Sequence, residues 1–294
     1  LNWYIIFCNK IGIPNSSQIN NVEKNTEKQN HQYCGFISMN LCVDVGNTTI
    51  GFGFYENDKL IYKNVVDTFD YSKDQFAEII SSFLTNPKIK KNSVENIIVS
   101  SVVPSIDNSL EKALAKFFPN TNILNVDCHL NLGVPIEVDE PDSVGHDLLA
   151  DLVGLKEKYG FPSLIIDLGT ATKVLLLDKE GKFKTCVILP GVEICSRGLS
   201  IKAELLPKVK MDKPLPLLDV HNTEEAIKAG LVYGHIGMIN EIVNRYENEL
   251  GSKVTKVITG GATIHLESFL PKDYIYDQDI ILDGLNFILK KNVK

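Results

Sequence analysis

The sequence predicts an α/β protein built by duplication: two copies of one unit, each a mixed β-sheet covered by helices, with a cleft between them. Three observations carry this. The stretch LIIDLGTATKVLLLD at 164–178 repeats the design of LCVDVGNTTIGFGFY at 41–55, an apolar run, an Asp, a Gly, a hydroxyl-rich turn and a second strand-like run. At one constant offset Asp167 falls on Asp44, Gly169 on Gly46, Thr170 on Asn47 and Thr172 on Thr49. Each copy continues into a third strand-like run and then into alternating helix and strand patterns, the order that gives a mixed sheet with helices on it. Finally, 294 residues, 44% hydrophobic and 23% charged, suit two modest domains better than one.

In chain order, residues 1–38 do not fit the rest. The apolar run 3–7 is short, lacks the small-residue site of a signal peptide, and leads into an Asn-rich polar stretch at 15–30. The expectation is a disordered or non-native extension, with Met39 as the natural start. A first domain, 39–160, then reads as strands 41–45, 49–55 and 60–66, the last two joined by the Glu56-Asn57-Asp58 turn. A helix at 74–84, a strand at 96–100, a helix at 106–118 stopped by Pro119, and a strand at 122–126 follow. Ser100, Ser101 and Ser105 are explained equally by a place at the cleft and by strand-end and cap chemistry. After a polar, Pro-broken segment, Leu148, Leu149, Leu152 and Leu155 recur at helical spacing in 145–160. Asp147 falls in the first turn of that helix, where the dipole alone favours a carboxylate; Asp151 reads as surface or junction. The second domain, 161–294, repeats strands at 164–168, 172–178 and 182–189, then a helix over 192–205 and a Pro-bearing loop at 207–222. The longest helix, 223–250, takes Thr223 as its N-cap. A strand at 254–258, the Gly-rich turn at 259–263 and a covering helix at 282–290 complete the chain.

The repeated turn has its own chemistry. Backbone N–H groups around a Gly-hydroxyl turn form an anion-binding concavity. The Asp before it can hold a cation or a metal-bound water, the usual companion of nucleotide phosphates. One such turn is an ordinary hairpin; two at corresponding places in successive αβ units point to phosphate and cation meeting there. The turn at Thr259-Gly260-Gly261 can likewise admit a nucleotide close to the backbone, or be a plain strand-to-helix turn. A net charge of −7 disfavours general nucleic-acid or anionic-membrane binding. Six cysteines without a CxxC pair read as reduced thiols of a cytoplasmic protein rather than a disulfide framework or a catalytic signature. No apolar run has the length of a membrane span.

These pieces carry a resemblance. DVGNTT (44–49), SSVVPS (100–105), Gly145-x-Asp147, IIDLGTAT (165–172), ILPG (188–191), Leu206-Pro207, Asn222-Thr223 and TGG (259–261) follow one another in the order and spacing of type III pantothenate kinases. The resemblance runs from Met39 to the C-terminus. It implies two ribonuclease-H-like domains of the actin-like ATPase and sugar kinase superfamily closing on ATP. The activity implied is phosphorylation of pantothenate to 4'-phosphopantothenate, the first step of coenzyme A synthesis. By the same resemblance Asp44, Val45, Gly46, Asn47, Thr48, Thr49, Ile50 and Gly51 hold the ATP phosphates, with Thr170, Gly260 and Gly261 on the other side. Asp147 is the implied proton acceptor, and Gly145, His146, Leu148 and Thr223 line the substrate. Asp167 is the implied monovalent-cation site and Asp44 the contact to Mg²⁺ through Mg-ATP. Potassium or ammonium, a homodimer and a cytoplasmic location are also implied, with no nucleic-acid or membrane partner.

Departures cluster on the substrate side. The family follows its Gly-x-Asp with an Arg that helps bind pantothenate, where this chain has Leu148; a charge-assisted contact of that kind contributes roughly 1.5 to 3 kcal/mol. Val138 stands near a substrate-contacting Tyr, Thr185-Cys186 replaces a Gly-Gly pair, and Lys173 replaces the final Thr of GTATT. Lys173 reads three ways: an ammonium standing in for the monovalent cation beside Asp167, a replacement for the charge lost at Leu148, or a solvated strand lysine. Two further functional readings therefore stand beside the kinase: a catalytically impaired regulatory or nucleotide-binding homologue, and a kinase for a different small alcohol.

Overall fold

The computed structural model describes residues 38–293, so the expectation for the N-terminal extension falls outside the described residues, Ser38 excepted. From Met39 onward the chain forms one compact unit containing two five-stranded sheets. The first comprises β1 (Met39–Val45), β2 (Thr49–Glu56), β3 (Lys59–Asp67), β4 (Val94–Ser101) and β5 (Asn122–Asn125), in the order β3-β2-β1-β4-β5. The second comprises β6 (Ser163–Leu168), β7 (Ala171–Leu177), β8 (Phe183–Pro190), β9 (Thr255–Thr259) and β10 (Tyr274–Tyr276), in the order β10-β9-β6-β7-β8. Both sheets pair their first three strands antiparallel and the last two parallel. The duplication is thus complete at the level of topology. β10 escapes a sequence reading because three residues, YIY, have no period to detect.

The constant offset between the repeats breaks inside the turn. Asp44 pairs with Gly51 across β1 and β2, whereas Asp167 pairs with Lys173 across β6 and β7. The first turn is therefore one residue longer, and Lys173 occupies the place of Gly51 rather than that of Ile50. A one-residue slip exchanges the faces of a strand, so this correction decides which side chain stands beside Asp167.

Helices α1 (Lys73–Leu84) and α2 (Pro104–Phe117) pack together beside the first sheet. α1 begins in a capping box made by Ser72 and Gln75. α3 (His146–Tyr159) links the halves, and α4 (Val192–Lys202), α5 (Thr223–Leu250), α6 (Thr263–Leu266) and α7 (Ile280–Asn292) follow. α4 ends three residues before the expected Leu205. The N-cap of α5 is Asn222, whose side chain accepts from Glu225 N at 2.9 Å; Thr223 is the first helical residue. Asn also has the stronger capping preference of the two.

The two halves share one core. α7, although last in sequence, packs on β1, β2 and β4 of the first sheet and against α3, which also touches β4, β6 and β7. Leu149, Leu152, Val153 and Leu155 of α3 and Leu282, Leu285, Ile288 and Leu289 of α7 join Ile98 and Ile165 from the two sheets in a single cluster. Each such side chain contributes roughly 1.5 to 3 kcal/mol on burial. Where the helices cross, a Cβ on Gly284 would lie 2.0 Å from Ala150 O, and one on Gly154 would lie 2.4 Å from Ile280 O. Only glycine permits that approach. Among the described residues no helix is long and apolar enough to cross a membrane.

Candidate active site

The ends of β1 and β6, their turns, and the first two turns of α3 meet in one place. The two turns touch directly: Thr48 Oγ1 and Thr170 Oγ1 are 2.9 Å apart. The first turn is tied down by Gly46 N donating to Thr49 O at 3.0 Å and by Thr68 Oγ1 donating to Gly46 O at 2.7 Å. The second is held by Gly191 N donating to Thr170 O at 3.1 Å and by Ala262 N donating to Leu168 O at 2.9 Å. Gly260 adopts φ +94°, and a Cβ there would lie 2.6 Å from Asp167 Oδ1. The Gly-rich turn after β9 therefore seals directly onto the second acidic corner.

Lys173 organises the charges. Its Nζ donates to Asp147 Oδ2 at 2.7 Å and lies 2.8 Å from Asp167 Oδ2. At 17% side-chain exposure it is not a solvated strand lysine. Although burial pulls Lys173 down, the charges of Asp167 and Asp147 hold it above the ordinary lysine value. Asp147 Oδ1 accepts Leu148 N at 2.9 Å, so each carboxylate oxygen keeps a lone pair for a further donor.

Asp44 and Asp151 complete the cluster. Burial, reinforced by the charge of Asp147, pushes Asp44 up to about 7. Its Oδ1 is buried without a hydrogen-bond partner, as is Oδ1 of Asp151. Asp151, one turn below Asp147, is 1% exposed, which overturns its reading as surface or junction. Burial raises it well above the carboxylate range, with the charge of Asp167 adding to the effect. Burial raises Asp167 too, against the pull of Lys173. Four carboxylates thus face one ammonium, leaving a negative corner that attracts cations. A buried carboxylate oxygen lacking a partner beside two hydroxyl-bearing turns is the donor set that a metal-bound water of a nucleotide complex requires. A separate monovalent cation does not fit beside Asp167 in the same way, because Lys173 already supplies the charge there.

The other expected residues divide. Asn47, Thr48, Thr49 and Thr170 are exposed at the turns, whereas the side chains of Val45 and Ile50 are core and leave only their backbone available. Gly51 faces Leu282 of α7. His146 lines a pocket of about 200 Å³ with Ser101, Asp107, Glu111 and Asn125, and Leu148 packs against the shared core. Thr223 and Gly261 are exposed, and no described contact ties either to the cluster. Ser100 pairs with Asp44 in the β1–β4 register and is fully buried. Asp151 was the residue sequence reasoning missed; its position four after Asp147, on one face of a helix rich in leucine, was the available signal.

Twin sheets of this order, joined through a shared helix pair beside one acidic cluster, have the ribonuclease-H-like fold of actin-like proteins. Solved structures agree on the fold: a conserved Campylobacter jejuni protein assigned to the Baf family of transcriptional activators superposes with TM-score 0.53 at 19% identity, covering 86% of this chain and 98% of that one. Component A of (R)-2-hydroxyglutaryl-CoA dehydratase from Acidaminococcus fermentans does so with TM-score 0.50 at 15% identity, over 86% and 96%. The sequence profile of type III pantothenate kinases matches residues 40–245. A type III pantothenate kinase of Agathobacter rectalis is 32% identical over 255 residues, 86% of this chain and 97% of the relative. One from Shouchella clausii is 32% identical over 257 residues, 86% of this chain and all of the relative. The chain belongs to the type III pantothenate kinase family, whose chemistry is ATP-dependent phosphoryl transfer.

Proposed function

We propose that this chain transfers the γ-phosphoryl group of ATP to the primary hydroxyl of pantothenate, giving 4'-phosphopantothenate, and that it acts in the cytoplasm as a homodimer. The observation that carries the reading is the convergence of Asp44, Asp147, Asp167, Thr48 and Thr170 in one cluster. Phosphoryl transfer passes through a loose transition state, so the protein contributes alignment and charge neutralisation rather than covalent chemistry. The turn amides and the hydroxyls of Thr48 and Thr170 hold the phosphate oxygens, with Gly260 and Gly261 closing the far side. Asp44, whose Oδ1 is buried without a partner, would hold the Mg²⁺ of Mg-ATP, which would supply neutralisation of phosphate charge. Asp147, fixed by Lys173 and by Leu148 N, orients the acceptor hydroxyl and takes its proton as the new P–O bond forms and the bond from the γ-phosphorus to the bridging oxygen breaks, releasing ADP. Gly145, His146, Leu148 and Thr223 are assigned to the acceptor.

Lys173 takes the role of the monovalent cation. Its charge and two of its three N–H donors are engaged by Asp147 and Asp167, which disfavours it as a replacement for the Arg absent at Leu148. The homodimer rests on the family resemblance. Ile194, Leu199 and Ile201 of α4 and Leu205, Leu217 and Leu218 beyond it are exposed apolar side chains of the kind a second copy would cover.

A second reading is favoured by one observation. The pocket lined by His146, assigned above to the acceptor, also holds Asp107 and Glu111 and no Lys or Arg, so an acceptor without a carboxylate suits it electrostatically. One assay decides between them: phosphate transfer from ATP to pantothenate and to its uncharged amide analogues, with Asp147→Asn as control. Turnover on pantothenate that drops about 10²- to 10⁴-fold in the control supports the kinase. Turnover on the amides alone moves the assignment to a different alcohol; ATP binding without transfer to either leaves a nucleotide-binding homologue and refutes both kinase readings.

A further inference from the structure

Metal-binding side chains also gather outside the cleft. One sulfur of Cys128, one imidazole nitrogen of His129 and one carboxylate oxygen of Asp142 lie within 4.8 Å of one another. Cys128 Sγ donates to Asp142 Oδ1 at 3.0 Å, and His129 Nε2 approaches the same oxygen at 3.0 Å. A thiol nucleophile would need the imidazole between thiol and carboxylate; here the carboxylate oxygen stands in the middle, which is the wrong order for a relay. Convergence of three donors on one point is instead the arrangement a single cation requires, and the sulfur, nitrogen and oxygen set selects a borderline-soft divalent ion.

Both segments are held in place before any ion arrives. Asp127 Oδ1 accepts His129 N at 2.7 Å and Leu130 N at 3.1 Å. Asn131 is clamped to the C-terminal helix by Asn292, through bonds of 2.9 and 3.1 Å. On the other side Ser143 Oγ donates to Glu140 O at 2.7 Å, closing the turn that contains Asp142. Cys128 packs against the shared core, while His129 and Asp142 are 78% and 79% exposed, which leaves an entry path and room for water as a fourth ligand.

We propose that Cys128, His129 and Asp142 form a three-ligand site for a zinc-class divalent cation. On binding, the Cys128 S–H bond breaks, its proton goes to solvent, and the thiolate, the neutral imidazole and the Asp142 carboxylate each donate a pair to the ion. Thiolate and carboxylate together cancel its two charges. The ion would staple the segment after β5 to the turn three residues before Gly145, the entry to α3 and hence to Asp147.

The test uses the full chain without a polyhistidine tag, stripped with a chelator and titrated separately with Zn²⁺ and Co²⁺. The expected results are one equivalent bound, proton release on binding, a raised melting temperature, and, with Co²⁺, sulfur-to-metal charge transfer together with tetrahedral visible bands. Cys128→Ser loses the charge-transfer band; His129→Ala and Asp142→Asn lose stoichiometric binding while keeping the wild-type circular dichroism, which tests the site even if the cysteine variant folds poorly. Failure of the wild type to bind one equivalent, or an unchanged cobalt spectrum in Cys128→Ser, would overturn the proposal. No step depends on ATP or pantothenate, so the outcome is independent of the kinase reading.

Discussion

Replacing Lys173 by Thr removes the one ammonium that two half-buried carboxylates share. Asp147 and Asp167 are 19% and 13% exposed and sit 2.7 and 2.8 Å from Lys173 Nζ. Removing one partner of a fully buried pair costs about 3 to 5 kcal/mol, because the remaining charge is left uncompensated. Partial exposure lowers this to about 2 to 4 kcal/mol. For a chain of this size that is a melting temperature lower by roughly 5 to 15 °C in a buffer without small monovalent cations. Potassium or ammonium can then enter beside Asp167, so adding either should restore part of the loss, and activity of the variant should rise with potassium while the wild type stays flat. The assay is a pair of melting curves and a pair of rate measurements in tetramethylammonium and potassium buffers. A wild type as potassium-dependent as Lys173→Thr, or a variant that melts with the wild type, would refute the assignment of Lys173 as the internal cation.

Other substitutions probe the same frame. Asp44 is held at about 7 against an ordinary value near 3.8; because the folded value is the higher, ionised Asp44 opposes folding increasingly between those two pH values. Asp44→Asn should therefore be more stable than the wild type above pH 7 by about 2 to 4 kcal/mol, at 1.36 kcal/mol per pH unit with allowance for partial exposure, and the gap should close near pH 4 while activity is lost. Denaturant titrations across pH decide it. His235, buried and 2.8 Å from Thr172 Oγ1, is pulled below the ordinary histidine value by burial. The unfolded chain then takes up its proton first on acidification, so His235→Gln should flatten the loss of stability seen as pH falls below about 6.5. Gly284→Ala places a methyl where Ala150 O stands; a cost of about 1 to 3 kcal/mol or more is expected from thermal melts, with reduced activity because α3 carries Asp147.

Much of this was legible in the sequence where chemistry repeats. The two Asp-x-Gly turns announced themselves through side chains with few other uses, and the strands around them through apolar runs. The relation between the turns was less accessible. A constant offset aligns Lys173 with Ile50, and only the strand register reveals the shorter second turn that sets Lys173 opposite Asp167. Asp151 was hidden for a different reason. In an amphipathic helix a polar residue marks the wet face, but α3 lies between two sheets and a second helix, with Leu149 to Leu155 all buried, so its polar position turns inward. β10 is too short to carry a pattern, and the capping role passed from Thr223 to Asn222 by a single residue, well within the reach of either side chain.

In the proposed mechanism the turns after β1 and β6, in contact through Thr48 and Thr170, together hold the phosphates. Thr48→Cys combined with Thr170→Cys measures this directly, since the native hydroxyls are 2.9 Å apart. Under mild oxidation the double variant should cross-link, lose nucleotide binding, and recover it on reduction, with saturating Mg-ATP slowing the cross-link while the single variants and wild type stay unaffected. A double variant that fails to cross-link, or one that cross-links as fast with Mg-ATP as without, would contradict the placement of the nucleotide phosphates at the two turns.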